Sequence, residues 1–316
     1  LQPLDETNLF TVAGVNDLLE SKIGDIRDYE DLRLSILDFS PEIVFHMAAQ
    51  PLVRESYLKP RETYETNIIG TVNLLEAVRN CSSVKAVINI TTDKCYENNE
   101  WVWGYKETDP MGGRDPYSSS KGCSELVTAS YRDSFLKDAN IGVASARAGN
   151  VIGGGDWSKD RLIPDTLKAF QHSKSVVIRS PNATRPWQHV LEPLSGYLIL
   201  AQQLFQEPDI FSGAWNFGPY DHDVKTVSYI LDRMTSHWPG TSWNLDQGLN
   251  PHEALLLKLD ISKATTILGW TPTWELTKTL KKIIHWHKHW IEGDDMMKHC
   301  IEEIKEFNKD MTHENS

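Results

Sequence analysis

Two side chains in the sequence are spaced so that they could act together in a proton transfer. Tyr117 and Lys121 lie four residues apart, so on a helix that starts near Pro116 they would project from one face. A free tyrosine has a pKa of about 10, but a nearby ammonium group stabilises the phenolate and lowers that pKa. The pair is therefore a candidate acceptor for the proton of a substrate hydroxyl. The spacing alone is common, and exposed pairs of this kind usually have no catalytic role.

Three apolar runs and two helical stretches surround this pair. Residues 41–50, 85–92 and 141–148 are predicted as buried strands, and residues 63–79 and the segment that begins at Tyr117 as helices. Strands that alternate with helices are typical of βαβ units. The sequence therefore predicts an α/β fold with a doubly wound, Rossmann-type parallel sheet, in which ligands bind at the carboxyl ends of the strands.

Small and polar residues stand at those predicted strand ends. They are Ala48, Ala49 and Gln50 after the first strand, Thr92, Asp93 and Lys94 after the second, and Asn150 after the third. Small residues let a flat ligand approach the backbone, and the polar groups offer directed hydrogen bonds. Any one of these sets could simply be residues that commonly occur where a strand passes into a loop. Three sets that meet beside Tyr117 and Lys121 predict an active-site crevice.

Composition excludes several classes of protein. The chain has 316 residues, 40% of them hydrophobic, and a formal charge of -12, which disfavours nucleic acid and anionic membranes as partners. No apolar run is long enough to span a membrane, and no signal peptide is visible. The four cysteines are scattered without metal-type spacing, so we expect a reduced, cytoplasmic protein.

Longer motifs resemble those of one enzyme family. In chain order they are GDIRD at 24–28, FHMAAQPLVR at 45–54, DKCY at 93–96, RAGNVIGGGDW at 147–157 and RPWQHV at 185–190. With the Tyr117 and Lys121 pair they resemble the extended short-chain dehydrogenase/reductases, and within them the CDP-glucose 4,6-dehydratases, over nearly the whole chain. The resemblance implies an NAD-dependent lyase that acts on CDP-glucose in deoxysugar and O-antigen biosynthesis.

The resemblance also implies a division into two domains. Residues 1–150 would bind NAD, with residues 190–230 returning to that domain, and residues 151–316 would mainly form a smaller, discontinuous α/β domain for the nucleotide sugar. The family's first strand, Gly-rich turn and helix, which hold the pyrophosphate, are missing. Residues 153–155 (GGG) cannot replace them, because they follow the third strand. We expect a fragment without roughly the first forty residues of the pattern, which binds NAD poorly and is inactive.

In such an enzyme, Tyr117 would accept the proton of the 4-hydroxyl group while C4 is oxidised by NAD. Lys121 would lower the pKa of Tyr117 and hold the nicotinamide ribose, and Thr92 would hydrogen-bond the C4 oxygen. Oxidation at C4 acidifies the C5 proton, water leaves across C5 and C6, and the hydride returns to C6. Asp93 would protonate the departing hydroxyl, which requires a partly desolvated carboxyl with a raised pKa.

Lys94 stands where related dTDP-glucose enzymes have a glutamate that removes the C5 proton. Lysine, with an ordinary pKa of about 10.4, is almost fully protonated at pH 7 unless burial or cationic neighbours lower that pKa. Two roles stay open for Lys94. It is either a tuned base, which we prefer, or it stabilises the enolate while another group takes the proton.

Cofactor contacts follow from the same likeness. Asp25 and Ile26 match the adenine-contacting pair of the family, although Asp25 could simply organise the turn before the next helix. The cofactor channel would be lined by Ala48, Ala49 and Gln50. Asn67 lies inside an apolar helix, where a side-chain amide is costly unless it is hydrogen-bonded. We interpret Asn67 as a polar anchor for the cofactor, with a helix-bracing role as the alternative.

One region of this acidic chain is locally basic. Residues 147–185 contain seven Lys or Arg and three acids, as a diphosphate ligand would require. Arg161 and Arg185 match phosphate-binding positions of the family, with solvated surface arginines as the alternative. Asn150 and Trp187 are weaker candidates for contact with the sugar or the base.

A final amphipathic helix is predicted around residues 276–291. Its histidines at 285, 287 and 289 suggest a metal site, but alternate residues on a helix diverge by about 200°. Only His285 and His289 could share a face, so we expect no structural metal.

Assembly is inferred from the family, in which helices 63–79 and 117–135 pair with those of a second copy. A homodimer is therefore expected, with neither nucleic acid nor membrane as a partner. Two other functions stay open. One is another nucleotide-sugar dehydratase or epimerase, although an epimerase needs no acid such as Asp93. The other is a non-catalytic remnant that only dimerises or binds nucleotide, which the missing Gly-rich turn favours and the intact Tyr117 and Lys121 pair opposes.

Overall fold

The structure is a computed structural model that describes residues 7–246, 248 and 255–314. The remaining residues of the two predicted domains, 1–6, 247, 249–254 and 315–316, lie outside the described part. The strands are, in chain order, β1 (Ile43–His46), β2 (Ala86–Ile90), β3 (Gly142–Ala148), β4 (Val151–Ile152), β5 (Val176–Ile178), β6 (Thr184–Pro186), β7 (Gln188–His189), β8 (Gly213–Phe217), β9 (Val224–Thr226) and β10 (Trp243–Leu245).

The α-helices alternate with these strands. They are α1 (Leu9–Val12), α2 (Tyr29–Phe39), α3 (Val53–Leu58), α4 (Pro60–Tyr64), α5 (Gly70–Arg79), α6 (Pro116–Tyr131), α7 (Leu162–Gln171), α8 (Leu191–Gln206), α9 (Pro208–Phe211), α10 (Val227–His237), α11 (Leu276–Glu292) and α12 (Met296–Glu314). Two π-helical turns extend them, Glu65–Ile69 between α4 and α5 and Arg132–Leu136 after α6. Among the described residues, none of these helices is both long and apolar enough to cross a bilayer.

The central sheet contains β1, β2, β3 and β8 in that spatial order, and every pair is parallel. Helices cover both faces, because alternate residues of each strand point to opposite sides. Val87 and Val143 pack with α2 and α5, whereas Ile88 and Ala144 pack with α8. The predicted doubly wound, Rossmann-type α/β fold is confirmed.

A second group of elements follows β3. The remaining strands form three two-stranded pairs, β4 with β7, β5 with β10 and β6 with β9. Helices α7, α10 and α11 contribute Phe170, Ile230 and Ile284 to a separate hydrophobic core that also contains Ile178 of β5. This core lies beyond the sheet in the chain, while β8 returns to pair with β3. The division of the chain into two domains stays a prediction.

Local sequence signals set several helix boundaries. The Asp28 side chain accepts a hydrogen bond from the Asp31 amide at 3.2 Å, which caps α2. At the other end of the chain, Gly293 adopts φ 83° and ends α11 in the left-handed conformation that glycine tolerates. The chain then turns back into α12, a helix that the sequence analysis did not predict. Lys278 of α11 contacts Asp310 of α12 at 2.5 Å.

β1 lies at the edge of the central sheet. Only β2 pairs with it among the described strands. Its apolar side chains are partly in solvent, since Ile43 is 38% exposed and Phe45 37% exposed. The outer edge of the sheet is therefore open in the described part of the chain.

Candidate active site

The side chain of Asp115 determines where α6 begins. Its carboxylate accepts hydrogen bonds from the Ser118 amide at 2.9 Å and the Ser118 hydroxyl at 2.6 Å, and Pro116 occupies the first helical position. Tyr117 and Lys121 on this helix are both buried. Lys121 Nζ donates to the Ile90 carbonyl at 3.1 Å, so this face of α6 lies against the carboxyl end of β2.

The pKa of Tyr117 differs from the sequence-based expectation. Burial raises this pKa to about 12, and a hydrogen bond with Thr92 and the charge of Arg161 only partly oppose the rise. In the protein alone the pKa is therefore raised, and the lowering effect expected of Lys121 stays a prediction. The reason for the raised pKa is desolvation, which disfavours a buried phenolate, while the Lys121 ammonium is directed to the Ile90 carbonyl.

Burial acts in the opposite direction on Lys121. The pKa of the Lys121 ammonium is lowered to about 8, because burial penalises its charge more than the Glu125 carboxylate supports it. At neutral pH this group is still mostly protonated and can donate hydrogen bonds. Tyr117 is neutral under the same conditions.

Thr92, Asp93 and Lys94 lie directly after β2. The Thr92 hydroxyl donates to Asp93 Oδ1 at 3.0 Å, and the Lys94 amide donates to Thr92 Oγ1 at 3.3 Å. Burial raises the pKa of Asp93, against the charges of Lys94 and Arg185. The other carboxyl oxygen, Oδ2, has no hydrogen-bond partner among the described residues. Asp93 thus has the desolvated environment that a proton donor requires.

A glycine leaves room for this carboxyl group. A Cβ atom added at Gly149 would lie 2.0 Å from Asp93 Oδ2, so no larger residue fits there without moving Asp93. Lys94 is half-buried beside them. Its role as a base or as a stabiliser of the enolate stays a prediction.

Asn67 connects the end of β1 to α6. Its Oδ1 accepts from the Gln50 amide at 2.8 Å, and its Nδ2 donates to the Gln50 carbonyl at 3.1 Å and to Ser120 Oγ at 2.8 Å. Ser120 Oγ in turn donates to the Tyr117 carbonyl at 2.7 Å. These contacts favour the bracing role of Asn67. Its contact with a cofactor, and those of Ala48, Ala49 and Gln50, stay predictions.

Asp25 and Ile26 already have partners in the structure. Asp25 forms an ion pair with Arg27 at 2.5 Å, and the hydrogen bonds of this pair lower the pKa of Asp25 to about 2. Ile26 packs on Gly70, where an added Cβ would lie 2.7 Å from the isoleucine side chain. The pair organises the turn before α2. An adenine contact of either residue stays a prediction.

Two arginines of the second group of elements act electrostatically on the predicted catalytic residues Tyr117 and Asp93. Arg161 precedes α7, lies 3.8 Å from Asp156, and contributes a positive charge at Tyr117. Arg185 is buried and contributes a positive charge at Asp93. Both predicted phosphate-binding residues therefore act electrostatically on the site.

Asn150 and Trp187, the two weaker candidates for contact with the substrate, both form hydrogen bonds within the protein. Asn150 has a left-handed backbone, with φ 42°, and its carbonyl accepts from the Gln188 amide at 3.3 Å. Trp187 is buried in the second hydrophobic core, and its indole donates to the Lys225 carbonyl at 3.0 Å. These contacts give Trp187 a structural role, and contact of either residue with the substrate stays a prediction.

A buried ion pair behind the site was not identified from the sequence. Arg147 of β3 binds both carboxylate oxygens of Glu125 at 2.9 Å, and Thr91 and Ser145 donate to the same carboxylate at 2.5 Å. Burial opposes the negative charge, but these hydrogen bonds hold the pKa of Glu125 below its ordinary value. The available signal was spacing, because Glu125 follows Lys121 by one helical turn.

The arrangement brings together a buried phenol, an ammonium group, a hydroxyl and a protonatable carboxyl. They are Tyr117, Lys121, Thr92 and Asp93, all at the carboxyl end of β2 or on the helix facing it. Such a set can move protons on and off a hydroxylated substrate without a nucleophilic residue.

Comparisons with known proteins find relatives that act on nucleotide sugars, which are hydroxylated substrates. The family model described as GDP-mannose 4,6 dehydratase matches residues 7–283. The CDP-glucose 4,6-dehydratase of Salmonella typhimurium is 59% identical over 306 residues, covering 95% of this chain and 85% of the relative. The dTDP-D-glucose 4,6-dehydratase of Mus musculus is 24% identical and covers 84% of this chain and 73% of its own length.

Solved structures with the same fold are more distant in sequence. A UDP-glucuronic acid 4-epimerase from Bacillus cereus, in complex with UDP-glucuronic acid and NAD, gives a TM-score of 0.76 at 23% identity and covers 89% of this chain and 87% of its own. A dTDP-glucose 4,6-dehydratase from Bacillus anthracis, in complex with NAD, gives 0.74 at 19% identity and covers 92% and 86%. At these identities the likeness supports the fold alone.

Proposed function

The chain belongs to the family described as GDP-mannose 4,6 dehydratase, and from this premise we propose that it converts CDP-D-glucose into CDP-4-dehydro-6-deoxy-D-glucose. The observation that carries the proposal is the buried carboxyl of Asp93 beside Thr92. Elimination of the C6 hydroxyl needs a proton donor, and a 4-epimerase does not. The choice of CDP-glucose rests on the Salmonella relative, whose printed name states that substrate.

NAD is the cofactor implied by this reaction, and the residues at the strand ends fit its nicotinamide end. The Lys121 ammonium donates one hydrogen bond to the Ile90 carbonyl, and its other N–H groups could donate to ribose hydroxyls. Tyr117 lies on the same face of α6. When bound, NAD would supply the hydride acceptor at C4 and the hydride donor at C6. Within the described ranges, no Gly-rich turn opens a helix. The expected weak binding of NAD stays a prediction.

The side chains have separate tasks in the proposed reaction. Tyr117 takes the proton of the 4-hydroxyl group as a phenolate, after its own proton has passed to solvent, and the positive charge of Arg161 favours that form. Thr92, which hydrogen-bonds both Tyr117 and Asp93, orients the C4 oxygen. A neutral Asp93 gives its proton to the departing C6 hydroxyl, so that water leaves and a carboxylate remains. Lys94, next along the chain, is our proposed base for the C5 proton.

Arg161 and Arg185 are proposed to hold the diphosphate of the substrate. Both contribute positive charge at the catalytic residues, and two phosphates bring negative charge to the same place. Binding of the diphosphate would therefore partly neutralise the positive charges of Arg161 and Arg185. Asn150 is the neighbouring candidate for the sugar.

The proposal is tested by incubating the protein with NAD and CDP-glucose and following the loss of one water from the sugar by mass spectrometry. Because the chain by itself is expected to bind NAD poorly and to be inactive, the assay uses a form joined to a Gly-rich strand, turn and helix. For this form we expect turnover with CDP-glucose in preference to UDP-glucose. Tyr117→Phe and Asp93→Asn should each reduce the rate by roughly 10²-fold or more, the usual contribution of general acid–base catalysis. A C4 epimer formed without loss of water would contradict the proposal, as would full activity of Asp93→Asn.

We also propose a cytoplasmic homodimer that serves deoxysugar and O-antigen biosynthesis. Ile69, in the turn before α5, is 49% exposed, and Leu126 of α6 is 61% exposed, so these adjacent helices offer apolar surface to a second copy. All four cysteines are free thiols, in keeping with a reducing compartment.

A further inference from the structure

Three histidines meet where α11 turns back into α12. His285 and His289 are one turn apart on α11, and His299 lies in the first turn of α12. One ring nitrogen from each of the three lies within 4.8 Å of the others, and His285 Nε2 is 2.9 Å from His289 Nε2. The left-handed conformation of Gly293 makes this close return of the chain possible.

A carboxylate orients the central histidine. Asp294 Oδ2 lies 2.5 Å from His289 Nδ1. When Nδ1–H donates to Asp294, the lone pair of the ring is on Nε2, which is the atom that faces His285. Carboxylates commonly orient metal-bound histidines in this way.

The surroundings also suit a bound cation. Glu303 follows His299 by one turn, and its negative charge acts on the rings of His285 and His299. One oxygen of Glu303 lies 3.2 Å from His189, while the other is buried and has no hydrogen-bond partner among the described residues.

We propose that His285, His289 and His299 form a binding site for a divalent transition-metal ion such as Zn²⁺. Three imidazoles suit Zn²⁺, Ni²⁺ and Cu²⁺ better than the hard ions Mg²⁺ and Ca²⁺. Nitrogens bound to a tetrahedral zinc at about 2.0 Å lie about 3.3 Å apart, so small side-chain rotations would complete the set. His285 is exposed, which leaves the ion a path from solvent and an open coordination position.

The site differs from the expectation that this region holds no metal. That expectation considered α11 alone, where two histidines share a face, whereas the third ligand comes from α12. An ion would join the two helices. Trp286 and Trp290 of α11 pack against Trp157, at 5.9 Å and 5.0 Å between ring centroids. The bound ion would therefore also stabilise the side of α11 that borders the loop after Asn150.

The test uses the full chain without an affinity tag, stripped with a chelator and titrated with Zn²⁺ by calorimetry. We expect one ion per chain and a higher unfolding temperature with zinc. His289→Gln and His299→Gln should weaken binding by at least about tenfold, and Asp294→Asn by about 10- to 100-fold, as for other residues that orient metal ligands. His172→Gln, which changes an exposed histidine on another element, should bind zinc like the original protein.

Co²⁺ gives a second measurement, because a site with three imidazoles and an open position produces visible absorption bands that the variants should lose. Unfolding temperatures in chelator, equal for all variants, show that each one is folded. Zinc affinity unchanged in His289→Gln and His299→Gln would overturn the proposal, as would the absence of zinc binding by the original protein.

Discussion

Burial changes the proton affinity of three side chains in the candidate active site. It lowers the pKa of Lys121 to about 8, raises that of Tyr117 to about 12, and raises that of Asp93. In each case removal from water disfavours the charged form. For Asp93 the result is a carboxyl group that can hold a proton. For Lys121 it is a charged group that is costly to keep in the folded protein.

We predict that Lys121→Met stabilises the protein at pH 7 while it abolishes activity. The folded pKa of about 8 lies below the ordinary 10.5, so the unfolded chain binds more protons between these values and stability rises with pH across that window. Below pH 8 the full cost applies, about 3 kcal/mol, less about 1 kcal/mol for the lost bond to Ile90. Urea unfolding should therefore show a gain of about 2 kcal/mol at pH 7.

The pH dependence provides the control for Lys121→Met. At pH 10 the advantage over the original protein should be much smaller, because the folded Lys121 has then lost its proton and most of the free-energy cost of burying its charge has disappeared. A variant that is less stable at pH 7, or whose advantage does not change with pH, would show that the ammonium is not penalised by burial.

Helix α6 is fixed to the sheet by a buried network rather than by apolar packing alone. Glu125 accepts hydrogen bonds from Thr91 at the end of β2 and from Ser145 and Arg147 of β3. Both charges are almost fully buried, with side-chain exposures of 4% and 5%. The network therefore holds Tyr117, two turns earlier on α6, in its position relative to the strand ends.

We predict that Glu125→Gln destabilises the protein by about 3 kcal/mol, because it leaves the Arg147 charge buried without a counter-charge. Chemical unfolding of the variant measures the loss. The double variant Glu125→Leu with Arg147→Met should recover much of it, since neither charge is then buried. The control Glu30→Gln removes a partner of an exposed ion pair on α2 and should leave stability almost unchanged. If Glu125→Gln and Glu30→Gln lost the same free energy of unfolding, the buried charge of Arg147 would not be the cause of the destabilisation.

Local signals allowed α6 and three strands of the central sheet to be predicted. Asp28 and Asp115 are visible N-caps, and the runs that became β2 and β3 are nearly continuous in apolar or small residues. The pairing of Glu125 with Arg147 could not be predicted, because it joins residues 22 positions apart through the sheet. The helix α12 was missed although its apolar residues recur every three or four positions, at Met297, Ile301, Ile304, Phe307 and Met311.

The candidate site was predicted in its membership but not in its energetics. Tyr117, Lys121, Thr92 and Asp93 do lie together. The sequence suggested a lowered pKa for Tyr117 because it shows the neighbouring lysine but not the depth of burial. Similarly, Asn67 was expected to contact a ligand, and only the structure shows that its amide braces Gln50 and Ser120.

At the scale of the whole molecule, two exposed apolar residues bear on assembly, Ile69 in the turn before α5 and Leu126 of α6. We predict that Leu126→Glu dissociates the proposed dimer, because a closed two-fold interface would place a buried charge near its own symmetry mate. Sedimentation velocity should show a shift from dimer to monomer. Leu198→Glu alters a leucine of α8 that is 64% exposed and should leave the dimer intact. If Leu126→Glu sediments like the original protein, the helices are not the interface.

The open edge of β1 offers a different mode of association. Its outer amide and carbonyl groups have no strand partner among the described residues, and Ile43 and Phe45 add exposed apolar surface beside them. Such an edge can accept a further strand, whether it comes from the same polypeptide or from another chain. Aggregates that grow with concentration and bind amyloid dyes should therefore be distinguished from the saturable dimer before any oligomeric state is assigned.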